Sequence, residues 1–220
     1  MAIVAVFNAK MELAGLYVLL SIVADFFDGF AARALKAYSE LGKQLDSLAD
    51  MVSFGVVPGM ILFTIFYMGS SSSEADENLL LAGQYSMFIV TLFSALRLAK
   101  FNIDPRQASY FIGLPTPANA LMIISFPLIL SHDEFGLSTL IYHPLFLILF
   151  AVVSAFLLIA EIPLIALKFK SFDLKSNKGP YFLLTGSILL GIVFRYAAPP
   201  LIIVFYVILS LILPPDKIRK

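Results

Sequence analysis

Long apolar blocks separated by short polar clusters set the pattern of this chain. The blocks fall at about 12–34, 46–68, 79–99, 115–131, 144–167, 181–196 and 198–213. A helix needs about 20 apolar residues to cross a hydrocarbon core of about 30 Å, so each block spans or nearly spans. The pattern predicts an all-α, polytopic transmembrane helical bundle forming a single domain over 1–220, with about seven full helices and a truncated first one. The truncated helix is Met1 to Phe7, too short to cross and read as the end of a helix whose beginning is missing from this chain. It lacks the basic start and small-residue cleavage site of a signal peptide. Pro58-Gly59 is expected to kink the second full helix, and Pro199-Pro200 to break the last apolar block into a hairpin. The serine run from Ser70 to Ser73 reads as an external loop.

Composition narrows the class. Of 220 residues, 60% are hydrophobic and only 14% charged, against roughly 25% charged in soluble domains. The formal charge is zero, which argues against nucleic acid as a partner. With no cysteine there are neither disulfides nor thiolate metal sites, and the two histidines, His132 and His143, read as surface residues.

Charge placement gives an orientation. If the first full helix runs inward, the cytoplasmic segments hold Arg33, Lys36, Lys43, Arg97, Lys100, Arg106, Lys168, Lys170, Lys175, Lys178, Lys217, Arg219 and Lys220. Only Lys10 and Arg195 fall outside, where the connections instead carry Glu74, Asp76, Glu77, Asp133 and Glu134. The excess of Lys and Arg on one side sets topology in membrane proteins. The expected location is therefore the cell membrane, multi-pass.

Four aspartates stand at the cytoplasmic ends of two of these apolar blocks. They read Asp25-x-x-Asp28-Gly29-x-x-Ala32-Arg33, then Gly42-x-x-x-Asp46-x-x-x-Asp50. Spacings of three and four residues put each pair on one helical face. A carboxylate beside hydrocarbon is costly unless paired, and Arg33 is the one basic residue within the first cluster. Hard oxygen ligands of this kind suit Mg²⁺, Mn²⁺ or Ca²⁺. Four carboxylates suffice for two ions about 3.5–4 Å apart, as in phosphoryl chemistry. The intervening residues fit a phosphate-bearing substrate. Gly29 and Gly42 permit close approach, Ala32 keeps the face low, Arg33 can fork onto phosphate oxygens, and Ser39 offers a hydroxyl. A lone membrane aspartate is often a helix-pairing or proton-relay group; four at these spacings argue against that.

The 26-residue stretch from Asp25 to Asp50, with Gly29, Ala32, Arg33, Gly42 and Asp46 in place, resembles the full signature of the CDP-alcohol phosphatidyltransferases. The runs Leu45–Pro58, Ala95–Asn102 and Gly113–Ala118 are similar to the phosphatidylserine synthase branch of that family. The resemblance implies a homodimeric enzyme that moves the phosphatidyl group of CDP-diacylglycerol to the hydroxyl of L-serine and releases CMP. It implies two divalent cations, Mg²⁺ or Mn²⁺, with Asp25 and Asp46 touching both, Asp28 the first and Asp50 the second. Asp50 would also be the general base, and Gly29, Arg33 and Ser39 fall where the family contacts the CDP-lipid. The carboxylate of serine needs a cation, for which Arg97 is assigned, with Lys100 and Asn102 beside it; each also reads as an ordinary feature of a cytoplasmic helix end. A different acceptor, glycerol phosphate or inositol phosphate, would keep the chemistry but call for more cations. A cation transporter would instead place its acids near mid-membrane.

Overall fold

A six-residue helix, α1 (Ala2–Phe7), opens the chain and packs on the first long one, α2 (Met11–Leu35). The computed structural model describes residues 1–36, 39–71, 76–104, 111–165 and 178–213, with the side chains of Phe111 and Lys178 excepted. Arg106, Lys168, Lys170, Lys175, Lys217, Arg219 and Lys220, on which the predicted orientation partly rests, lie outside the described residues, as do Ser72, Ser73 and Glu74.

Helix α2 has 25 residues, about 37 Å of helix. It ends with Lys36 in the left-handed region, φ 54°, whose amide returns to the last carbonyls. The chain restarts at Ser39, an extended N-cap whose Oγ accepts the Gly42 amide at 3.0 Å, and α3 runs from Glu40 to Asp50. Residues Met51–Val56 form a wide π-helical segment that leads directly into α4 (Val57–Ser70). Pro58 explains the place: it has no amide hydrogen to return to the preceding turn, and its ring crowds the carbonyl there. The expected kink takes the form of this widened coil. The Gly55 carbonyl then accepts the Thr91 hydroxyl at 2.9 Å.

Next come α5 (Glu77–Ser86), capped by the Asp76 carboxylate, and α6 (Ile89–Ile103). Helix α7 (Thr116–His132) follows, then the short α8 (Ser138–Ile141) and α9 (Pro144–Ile159). The last two helices are α10 (Lys178–Phe194) and α11 (Ala198–Ile212), packed on each other as a hairpin.

Two expected elements end earlier than hydropathy alone suggests. The block read as 144–167 is helical only to Ile159; beyond it Pro163–Leu164 (β2) pairs antiparallel with Phe111–Ile112 (β1). Ala160 is already extended, and Pro163 keeps Ile162 extended as well, which holds the segment out of a helix. Gly113 follows β1 at φ +74°, where a Cβ would lie 2.6 Å from the Leu158 carbonyl oxygen, so only glycine fits this crossing. The final hairpin breaks at Arg195, φ 42°, and Pro199 and Pro200 occupy the first turn of α11 rather than the break itself.

Among the described residues, four helical runs, Met11–Leu35, Glu40–Ser70, Glu77–Ile103 and Gly179–Ile212, are long and apolar enough to cross a membrane, the last comprising both arms of the α10–α11 hairpin, and the apolar α7 and α9 are shorter. At the centre, α4 and α7 bury Ile61, Leu62, Ile65, Phe66, Ile123 and Ile129. Outward faces expose bulky apolar groups, among them Phe26, Phe27 and Phe30 on α2 and Ile188, Leu189 and Ile192 on α10. Such surfaces belong against hydrocarbon, and the chain is an all-α, membrane-spanning bundle.

Candidate active site

The acidic motif is built where α2 ends and α3 begins. Helix α2 ends at Leu35 and α3 begins at Glu40, so few residues separate the two pairs of acids. One carboxylate oxygen each from Asp25, Asp28 and Asp46 lie within 4.8 Å of one another. Asp25 is half-buried, whereas Asp28 and Asp46 are exposed. Asp50, one turn beyond Asp46, is half-buried and stands outside this trio but within electrostatic reach of Asp25, Asp46, Asp28 and Arg97. Thus three of the four predicted ligands come together and the fourth borders them.

Geometry tests the match to a cation. Around an ion with oxygens at about 2.1 Å, neighbouring ligands stand about 3 Å apart and opposite ones about 4.2 Å. A spread of at most 4.8 Å needs only small carboxylate rotations. Among the described residues, no basic side chain pairs with the trio, so its charge is left for a cation to balance. The donor set fits a hard divalent ion.

The predicted phosphate-binding residues divide. Arg33 folds back over Gly29, with its Nη1 3.5 Å from where a Cβ would sit. Ala32 is half-buried on the same turn. Ser39 and Gly42 form the cap of α3; a Cβ at Gly42 would lie 2.9 Å from the Ser39 Oγ. That cap uses the acceptor side of the Ser39 oxygen, leaving its O–H to donate. An apolar groove lined by Tyr17, Ser21, Ala24, Val52, Ser53 and Val57 runs alongside, with a volume of about 370 Å³.

The three residues assigned to an acceptor also part company. Asn102 donates from Nδ2 to the Ser47 Oγ at 2.8 Å and accepts at its backbone carbonyl from Lys43 Nζ at 3.0 Å. It clamps the end of α6 to α3. Lys100 is exposed. Arg97 alone turns inward: it is 7% exposed, its guanidinium lies 4.9 Å over the Phe101 ring, and it interacts electrostatically with Asp50 and with Tyr206 of α11. Its buried Nε has no hydrogen-bond partner.

Sequence reasoning passed over a second polar group. Thr116 and Asn119 on α7 are both fully buried, and Ser154 of α9 donates to the Asn119 Oδ1 at 2.6 Å. The signal was present as two polar residues three apart at the start of a largely apolar helix, but uncharged groups raise no alarm beside four aspartates.

The family model described as CDP-alcohol phosphatidyltransferase matches residues 1–212. A Bacillus subtilis protein named CDP-diacylglycerol–serine O-phosphatidyltransferase is 37% identical over 145 residues, 64% of this chain and 77% of the relative. Proteins of the same name from Methanocaldococcus jannaschii and Saccharomyces cerevisiae are 42% and 33% identical over 107 and 159 residues. Those matches cover 49% and 64% of this chain and 46% and 54% of the relatives, so the chain spans about half the length of these two. The match over nearly the whole chain, on a bundle that draws its acidic residues together, leads to one conclusion: the chain belongs to the CDP-alcohol phosphatidyltransferase family.

Proposed function

We propose that this protein transfers the phosphatidyl group of CDP-diacylglycerol to the hydroxyl of L-serine, giving phosphatidylserine and CMP. The observation that carries the reading is the carboxylate trio from two helices, poised for a divalent cation where a membrane helix ends. The relatives' names supply the acceptor, and buried Arg97 is a cation suited to its carboxylate.

In this reading Asp25, Asp28, Asp46 and Asp50 would hold two divalent cations, Mg²⁺ or Mn²⁺, with Asp25 and Asp46 serving both. When bound, the ions offset charge on the diphosphate and on the departing CMP. The chain's own residues do the rest. Arg33 forks onto a phosphate oxygen over the open face of Gly29. The lipid tails lie in hydrocarbon beside the groove of Tyr17, Ala24 and Val57. Arg97 receives the serine carboxylate and thereby brings the hydroxyl toward Asp50. Asp50 takes the hydroxyl proton as the new O–P bond forms and the bond to CMP breaks. The site faces the cytoplasm, and the active species is a homodimer.

The test supplies purified protein with CDP-diacylglycerol, Mn²⁺ or Mg²⁺, and a panel of alcohols. Serine-dependent CMP release, lost in Asp50→Asn, is expected. Release with glycerol phosphate but not with serine would reassign the acceptor.

A further inference from the structure

Among the described residues, three buried side-chain atoms have no hydrogen-bond partner: Arg97 Nε, Thr116 Oγ1 and Asn119 Nδ2. Their residues are 7%, 0% and 0% exposed. Burying an unpaired polar group costs folding free energy that nothing in the fold returns, so each demands an explanation. Turning the Asn119 amide over does not remove the problem. It presents the other amide atom to Ser154 and leaves the oxygen unpaired instead.

The Thr116 end of α7 reaches a depth close to that of Asp25. A Cβ on Gly15 of α2 would meet the Ile124 carbonyl of α7 at 3.2 Å, which sets those two residues at one depth. From there α2 descends about 15 Å to Asp25, while α7, running the other way, descends about 12 Å to Thr116. Thr116 and Asn119 are three apart and share a helix face. Asn119 reaches α9 through Ser154, and α9 packs along α6, which carries Arg97. Tyr206 links the two sides: it interacts with Arg97 and packs against the cluster around Leu114 at the start of α7.

The chemistry of the group is one-sided. Arg97 Nε–H can only donate, the Thr116 hydroxyl can donate, and with its Oδ1 accepting from Ser154 the Asn119 amide presents its N–H. The first turn of α7 adds amides without intrahelical acceptors and the positive end of a helix of 17 residues. Of the hydroxyl, ammonium and carboxylate of a small amino-alcohol acid, only the carboxylate calls for donors alone.

We propose that Thr116 and Asn119 form, with Arg97, a carboxylate-binding wall that makes an α-amino acid, and not the corresponding decarboxylated amine, the accepted alcohol. Both are specificity-determining residues, and they act on the acceptor rather than on the CDP-lipid. The inference rests on the proposed serine-transfer reading.

The test uses the full chain in detergent micelles, with Thr116→Val and Asn119→Leu, which keep shape while removing the polar atoms. Two readouts are taken: the rise in melting temperature on adding L-serine or ethanolamine without CDP-lipid, and acceptor kinetics. L-serine should raise the melting temperature of the parent protein, and ethanolamine should not. Both variants should lose that response, and at least one should melt no lower than the parent without ligand, because an orphaned polar group has gone. In turnover, the KM for serine should rise at least tenfold while the KM for CDP-diacylglycerol stays within twofold. A serine response that persists in both variants overturns the proposal. So does a fall in melting temperature with serine KM unchanged, the signature of groups that serve the fold alone or hold a buried water. A parent protein that L-serine does not stabilise overturns it as well. Stabilisation by serine without serine-dependent CMP release would leave the wall standing and overturn the proposed reaction instead.

Discussion

Removing one aspartate from the trio should stabilise the protein without metal and abolish its stabilisation by metal. Asp28 is the residue to change, being exposed and at the rim. With one oxygen from each carboxylate within 4.8 Å of the others, each like-charge pair costs at least about 0.9 kcal/mol at the dielectric of water. Asp28→Asn removes two such pairs, about 1.7 kcal/mol. Salt at physiological strength screens charges over about 8 Å and reduces this to about 1 kcal/mol. For a chain of this size that is about 2–4 °C in melting temperature. The assay is thermal unfolding of parent and variant, each in EDTA and in millimolar Mn²⁺. In EDTA the variant should melt a few degrees above the parent; in Mn²⁺ the parent should rise well above the variant, since a ligand of the folded state stabilises by mass action. A variant that melts lower in EDTA would refute the repulsion argument. A parent indifferent to Mn²⁺ and Mg²⁺ would refute the cation site.

Other outcomes follow from single contacts. Arg97→Ala should raise the serine KM with little change for CDP-diacylglycerol, and Arg97→Lys should not restore it, because a lysine cannot reproduce the planar fork; an unchanged serine KM would remove Arg97 from the acceptor pocket. Asn102→Ala breaks the 2.8 Å bond to Ser47 and should cost about 1 kcal/mol, read as a lower melting temperature. Ser39→Ala removes the cap of α3 and should cost about 0.5–2 kcal/mol, with Ser39→Asp restoring most of it. Gly55→Val would drive side-chain atoms against Ser94 and Met51, which a Cβ alone already meets at 3.0 and 3.1 Å; a loss of about 1–3 kcal/mol is expected.

Much of this molecule was legible in its sequence, for reasons that differ by element. The long helices follow from apolar length, and Asp25, Asp28 and Asp46 converge because their spacings hold one face across a short return. Charge beside hydrocarbon is expensive enough to advertise itself. Other features turned on signals that hydropathy averages away. The fifth block leaves the helix at Ile159, with Ala160 already extended, yet apart from Glu161 and Pro163 the run to Leu167 stays apolar. Ser39, read as a substrate contact, sits ahead of Glu40 in the ordinary position of a helix cap. Lys100 and Asn102 were grouped with Arg97 because all three are polar at one helix end; which of them turns inward depends on packing against neighbouring helices, and only Arg97 does. Thr116 and Asn119 are neutral, and their unpaired atoms exist only in three dimensions.

The wide coil at Met51–Val56 amounts to a spare residue in the chain. On an unbroken α-helix, Asp46, Asp50, Val57 and Ile61 would align in a single stripe, and the acids would look into the core that Val57 and Ile61 fill. By absorbing one extra position, the coil swings the acidic side about 100° away from that stripe. Excising a residue there would leave a regular spiral with both flanks still in phase, whereas the same excision from α3 or α4 would throw them out of step.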